Sequence, residues 1–189
     1  MSVVRFIGCL HLGHKAIAAH RGWNDVEEHD AHLIQEWNKV VDKRDTTYIV
    51  GDVTMEKSLH YSKLDQLNGR KIVVLGNHDR HQDVKQLLMH VDGVAGAVDY
   101  KGYIITHVPI HPNEVQFYRG NIHAHIHHVN RLEEVVVNSS YLDEGSKPEP
   151  TLHKYFNVDA HLINYRPLEL AELQGGKIYK NIIKGYKSA

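Results

Sequence analysis

Two hydrophobic rhythms alternate through the first half of the chain. Short, nearly unbroken apolar runs at residues 3–8, 46–50 and 71–75 read as buried strands, because a strand covered on both faces needs no polar alternation. Between them, residues 26–41 set Leu33, Ile34, Trp37, Val40 and Val41 at helical spacing. Asn24 or Asp25 can cap that helix, and its outer face runs from acidic to basic, as the helix dipole favours. Residues 58–67 read as a second helix stopped by Asn68-Gly69, and residues 83–89 as a third. Residues 95–100 and 103–106 read as a hairpin about Lys101-Gly102, and residues 122–126 as a following strand. The stretch 129–155, which holds a short strand at 134–137, reads as an insertion able to overhang a site. Residues 165–170 read as a short helix start, and Ile178, Ile182 and Tyr186 give the tail 175–189 one apolar helical face that can dock on the domain. Alternating strands and helices followed by mostly strands predict one layered α/β domain over residues 1–189.

Composition narrows the function classes. A chain of 189 residues can bury about 70% of its unfolded surface, enough for a substantial core. A net charge of −1 and a pI near 7.0 create no global field to gather nucleic acid or an acidic membrane, so an anionic substrate must be held by local groups. There is no basic, aromatic-rich stripe for extended nucleic-acid binding. One cysteine cannot form an intramolecular disulfide and fits a reducing compartment. No apolar run is long enough to span a membrane, and residues 1–6 lack the regions of a signal peptide, so a cytoplasmic location is expected. Histidine is in excess, with 17 residues, which tilts the reading towards metal.

The chemistry gathers where strands end. Gly76-Asn77-His78-Asp79 follows an apolar strand, so a tight turn would deliver an amide oxygen, an imidazole and a carboxylate to one sheet edge. Other strand ends carry Cys9 and His11, Gly51-Asp52, His107, and His123-Ala-His125-Ile-His127. Asparagine oxygen, imidazole, thiolate and carboxylate are all metal-ligand types. Two histidines spaced by two residues fall on one side of an extended chain.

Taken in order, Cys9-x-His11, Gly51-Asp52, Gly76-Asn77-His78-Asp79, His107 and Ala124-His125-Ile-His127 resemble the blocks of the calcineurin-like metallophosphoesterase superfamily. Leu12-Gly-His14, Gln35-Glu-Trp37-Asn38, Asn157-Val-Asp159 and Arg166-Pro167 extend the resemblance to its small bacterial and phage branch, over about residues 3–173. The resemblance implies a four-layer α/β/β/α sandwich with two mixed sheets flanked by helices. It implies a metal-dependent phosphoesterase that hydrolyses a phosphodiester of nucleotide or cyclic nucleotide type through a metal-bound hydroxide. Phosphomonoesterase or protein phosphatase activity is the alternative within the same chemistry. The implied cofactor is a pair of divalent transition metal ions, manganese, zinc or iron. Asp52 would bridge them, Asn77, His107 and His125 would serve one, and Cys9, His11 and His127 the other. His78 would act as proton donor near the phosphorus and Asp79 would orient it. His14, Arg21, Asn38, Arg80 and His81 are candidates for holding substrate, a small phosphate ester or nucleotide, and a homo-oligomer is compatible with all of this.

Cys9 departs from the family, which has aspartate there, and Ala124 replaces a glycine. A thiolate suits zinc or ferrous iron better than magnesium or manganese, so Cys9 should favour a softer ion at its site. The other reading makes Cys9 a small buried apolar residue, leaving a weakened enzyme or a nucleotide-binding module. His111, His123, His128 and His161 read as structural, or as supports just behind the ligands.

Overall fold

The apolar runs that begin the chain become neighbouring strands in the computed structural model of the protein. It describes residues 2–55, 57–127, 132–137 and 151–175, with 132–137 and 151–154 described as backbone. In chain order the strands are β1 (Val4–Ile7), β2 (Thr46–Ile49), β3 (Arg70–Val74), β4 (Gly93–Ala95), β5 (Val98–Tyr100), β6 (Tyr103–Ile105), β7 (Gly120–His123), β8 (Leu132–Val137), β9 (Thr151–Asn157) and β10 (Leu168–Glu169). The helices are α1 (Lys15–His20), α2 (Val26–Val40), α3 (Val84–Leu87), α4 (Pro112–Val115) and α5 (Leu170–Gly175). Two five-stranded mixed sheets result, in the orders β10-β1-β2-β3-β4 and β5-β6-β7-β9-β8. In the first, β1 to β4 are parallel and only β10 runs against its neighbour.

The α2 helix begins where the sequence predicts. Asp25 caps it, accepting from the Glu27 amide, and Leu33 and Trp37 are buried on its inner face. The same face also buries His29 and Asp30, two polar residues the apolar stripe did not suggest. A single buried cluster takes in Phe6, Ile49 and Val73 from the first sheet and Ile105, Ile122 and Phe156 from the second. Phe6 lies 5.5 Å from Tyr100 across the two sheets. Each fully buried side chain of this kind stabilises the fold by about 1.5–3 kcal/mol. Among the described residues, no helix is long and apolar enough to cross a membrane.

Several elements differ from expectation. The hairpin about Lys101-Gly102 forms from β5 and β6, but its first arm is shorter than expected: β4 ends the first sheet at Ala95, and β5 starts the second at Val98. A continuous apolar run conceals such a switch because both pieces are half-buried. Residues 58–66 wind as a 3-10 helix, and the third predicted helix shrinks to a 3-10 turn at residues 81–83 followed by α3. The stretch 165–170 contains the antiparallel edge strand β10 before α5 begins. Within the expected insertion, β9 starts at Thr151 and sits between β7 and β8, so part of that stretch belongs to the second sheet. Residues 138–150 of the expected insertion and the expected tail helix lie outside the described residues. The short helices α1 and α4 were not anticipated.

Candidate metal centre

The parallel strands of the first sheet all end at the same edge, and the loops leaving them keep pairing beyond the strands. Cys9 N–H donates to Gly51 carbonyl at 2.9 Å, His11 N–H to Asp52 at 3.0 Å and Leu12 N–H to Val53 at 2.9 Å. The second sheet joins at this edge. Gly8 N–H donates to Val158 at 2.8 Å, Val158 N–H to His123 at 2.8 Å, and Ala124 N–H to His107 at 3.0 Å. Gly51 permits the convergence: its φ is +74°, and a side chain there would collide with the His107 ring and with Gly76.

Four residues of the expected metal set hold left-handed backbone without being glycine. They are Cys9 (φ 52°), His11 (51°), Asp52 (54°) and His125 (67°). Such a conformation is uncommon for these residue types and persists only when the surrounding structure over-determines it, which is a habit of functional sites.

Asp79 is the clamp between two loops. Its carboxylate accepts from Asp52 N–H at 2.8 Å, Gly76 N–H at 2.9 Å and Val53 N–H at 3.0 Å. Burial pushes its carboxyl above the ordinary range, and the three N–H donors counter that only partly. The expectation was that Asp79 orients the His78 ring, whereas these bonds tie the carboxylate to backbone. Asp52 in turn accepts from His78 N–H through Oδ1 at 3.0 Å and turns Oδ2 towards His107. Burial would raise its carboxyl, but His107 and the His78 amide outweigh burial and hold it low.

His107 is fixed by its Nδ1–H, which donates to the Val50 carbonyl at 2.9 Å. Its Nε2 therefore faces inward, 3.0 Å from Asn77 Oδ1, 3.2 Å from His125 Nδ1 and 3.3 Å from Asp52 Oδ2. The four residues expected to serve one ion are thus within reach of one another. On the other side, the ligand atoms of Cys9, His11 and His127 lie within 4.8 Å of one another, as do those of Cys9, Asp52 and His107. Cys9 belongs to both groups. Its Sγ accepts the His125 N–H at 3.2 Å, and burial, with Asp159 and Asp52 nearby, pushes the thiol far above its ordinary value.

The donors suit a metal. His11 is buried, yet neither ring nitrogen finds a hydrogen-bond partner among the described residues, and Asp52 Oδ2 stands 3.8 Å from Nε2. Burial holds this ring neutral, down to about 3, and a neutral imidazole is the form that ligates. Nitrogen, sulfur and carboxylate donors around one point fit a borderline transition ion.

Expected substrate residues scatter. The His14 ring lies 5.9 Å from that of His11, and the His78 ring lies 6.0 Å from it on the other loop. Burial, then the charges of His78 and Lys57, lower the His14 ring's affinity for a proton. Arg80 is on the surface and meets Asp83 at 3.3 Å, with His81 beginning the adjoining turn. Arg21 and Asn38 face elsewhere. Only 2% of the Arg21 side chain is exposed, and it donates to the Cys9 carbonyl at 2.7 Å and to Asp159 at 3.2 Å. Asn38 donates to Gln66 and accepts from Asn68, securing the turn before β3 at the sheet edge opposite Asp52 and Asn77. His111 caps α4 and buried His123 bonds the Ala124 carbonyl, both structural as expected; His128 lies outside the described residues.

Asp159 was not expected to take part. It is fully buried, with Arg21 on one side and His127 Nδ1 at 2.7 Å on the other; that contact is short but angled away from ideal hydrogen-bond geometry. Burial would raise its carboxyl, but Arg21 and His127 pull it down to about 2. The sequence marked Asp159 only as the end of the Asn157-Val-Asp159 motif, with no partner attached to it.

No family model matches the chain. It is similar to the uncharacterized protein MJ1445 of Methanocaldococcus jannaschii, with 28% identity over 194 residues, covering 96% of this chain and 97% of that protein. It is also similar to the Gene 66 protein of Mycobacterium phage L5, with 42% identity over 84 residues, 42% of this chain and 41% of that protein. Among solved structures, a protein of unknown function from Aquifex aeolicus, AQ665, aligns with a TM-score of 0.65 and 21% identity over 93% of this chain and 99% of its own. That likeness is one of fold. A solved archaeal phosphodiesterase aligns with a TM-score of 0.41 and 15% identity over 80% of this chain and 98% of its own.

Proposed function

We propose that this protein is a metal-dependent phosphoesterase that hydrolyses a phosphodiester of nucleotide or cyclic nucleotide type, within a single domain of the four-layer metallophosphoesterase kind. The observation that carries the reading is the meeting of five separate sequence blocks at one strand-end edge, with His107 Nε2 facing Asn77, His125 and Asp52 within 3.3 Å. Asp52, Asn77, His107 and His125 would hold one ion, and Cys9, His11 and His127 a second, with Asp52 serving both. Bound ions of this type lower the pKa of water and offset charge on phosphate oxygens.

The residues of the chain divide the remaining labour. Asp79 keeps the loops of Asp52 and Asn77 in register through three backbone N–H groups. His78, on the turn after β3, donates a proton to the leaving alkoxide as the ester P–O bond breaks, so water and diester give a phosphate monoester and an alcohol. His14, beside it, would receive a phosphate oxygen.

The test is turnover of bis(p-nitrophenyl) phosphate with added manganese, zinc or ferrous iron. Asn77→Ala is expected to lower kcat/KM by roughly 10²–10³-fold, the loss typical of one removed electrostatic partner. A wild-type protein that binds these metals and a nucleotide but turns over no phosphate ester would favour the binding-module reading instead. The buried, His125-bonded thiol of Cys9 is what keeps that reading open, and Cys9→Asp gaining turnover with manganese would show what the cysteine costs.

A further inference from the structure

We propose that Asp159 is the positioning residue for His127, and that Arg21 allows an ionised carboxylate to stand there. The inference rests on the metal-centre reading above and names residues that the five blocks do not contain. Asp159 is a hub. Oδ2 meets Arg21 Nη2 at 3.2 Å and His127 Nδ1 at 2.7 Å, Oδ1 accepts from His161 N–H at 2.9 Å, and its own N–H donates to Asn157 Oδ1 at 3.0 Å. Asn157 also donates to the Ile126 carbonyl at 2.7 Å. One short segment therefore fixes the backbone before His127 and sets a carboxylate against one nitrogen of its ring. The 2.7 Å contact between Asp159 Oδ2 and Nδ1, which a rotation of the ring would bring into line as a hydrogen bond, assigns the proton to Nδ1 and leaves Nε2 as the metal-facing nitrogen.

A carboxylate with no exposure is costly unless paired, and the structure pairs it from within. Arg21 reaches Asp159 and the carbonyls of Cys9 and Leu10, so it couples the His127 side to the loop that carries Cys9 and His11. Behind it, Arg21 Nη1 donates to His29 Nε2 at 3.2 Å, and His29 Nδ1–H donates to Asp30 at 2.8 Å. Asp30 accepts from Gly13 N–H at 2.8 Å and from Lys63 at 2.6 Å. A continuous hydrogen-bonded line thus runs from Lys63 through Asp30, neutral His29 and Arg21 to Asp159 beside the candidate ligand. This explains why α2 buries His29 and Asp30 where apolar residues would pack as well.

The decisive measurement is imidazole nitrogen NMR on zinc-loaded, ¹⁵N-histidine-labelled wild-type protein, with the His127 signal assigned through His127→Gln. The expected result is a proton on Nδ1 and a zinc-shifted Nε2; a proton on Nε2 would overturn the inference. Zinc titration gives a second test. Asp159→Asn is expected to weaken one zinc equivalent by about 10–100-fold while sparing the other, with Asp159→Glu recovering part of the loss. A folded Asp159→Asn protein that binds both equivalents as wild type does would overturn it. Should Asp159→Asn fail to fold, the wild-type tautomer still decides. Wild-type protein that takes up no zinc, manganese or iron would instead remove the metal-centre reading, and this inference with it.

Discussion

The two sides of the candidate centre are built by different physics. Around His107, the groups hold one another: Asn77, His125 and Asp52 lie within 3.3 Å of Nε2, and a backbone carbonyl fixes the other nitrogen. Around His11, the ring nitrogens meet no hydrogen-bond partner among the described residues, and order comes from behind through the Asp159–Arg21 pair. On the first side the buried charge of Asp52 is met directly by the His107 ring, whereas on the second the charge is paired from behind the candidate ligands. The Arg21–Asp159 pair is the more brittle of the two, because both side chains are almost fully buried and removing one leaves the other uncompensated in low dielectric.

The sharpest way to break the comparison is Arg21→Met. It keeps much of the side chain's volume and removes the cation that faces fully buried Asp159. Unfolding in urea should show a loss of about 3–5 kcal/mol, the cost of breaking a buried pair by deleting one member. A loss below about 1 kcal/mol would show that charge does not hold this side. Next in size is Asp30→Asn, with an expected loss of about 2 kcal/mol from weakened charge-assisted bonds to His29, Lys63 and Gly13. Burial alone would push the Asp30 carboxyl up, but those three partners outweigh it and hold it below its ordinary value near 3.8. A depressed carboxyl favours the ionised folded state, so its contribution is present above pH about 4 and is lost as pH falls through the lower folded value. Wild-type stability should therefore fall more steeply with acid below pH about 4 than that of Asp30→Asn. Parallel curves would assign the bonds a role independent of charge.

The same contrast marks what was legible in the sequence. Cys9, His11, Asp52, Asn77, His107, His125 and His127 stood out because each closes an apolar run, and strand ends of a parallel sheet meet at one edge whatever the details. The structure brings those residues together. Arg21, His29, Asp30 and Asp159 were obscure because their meaning lies in pairing across long separations, and Arg21 and Asp159 are 138 positions apart. Periodicity reports which face is buried, not which buried polar group finds its counterpart. Asp79 was found, but its three bonds to backbone N–H groups were not legible, because they join loops that the sequence keeps apart. The switch at residues 95–98 was hidden for a related reason: a half-buried run carries no mark of which sheet each residue joins.

Asn38 gives the smallest effect and the cleanest separation of support from chemistry. Its Nδ2 donates to the Gln66 carbonyl at 2.8 Å and its Oδ1 accepts from Asn68 N–H at 2.8 Å, with Trp37 Nε1 donating to the Asn68 carbonyl beside it at 3.0 Å. These bonds lock the turn that feeds β3, at the opposite end of that strand from Gly76. Asn38→Ala should therefore cost about 1–2 kcal/mol of stability, roughly two hydrogen bonds' worth. KM and kcat for a phosphodiester should stay unchanged at temperatures where the variant is folded. A raised KM at full folding would return Asn38 to the substrate site and mean that the two edges of the first sheet are not divided between support and chemistry as the bonds describe.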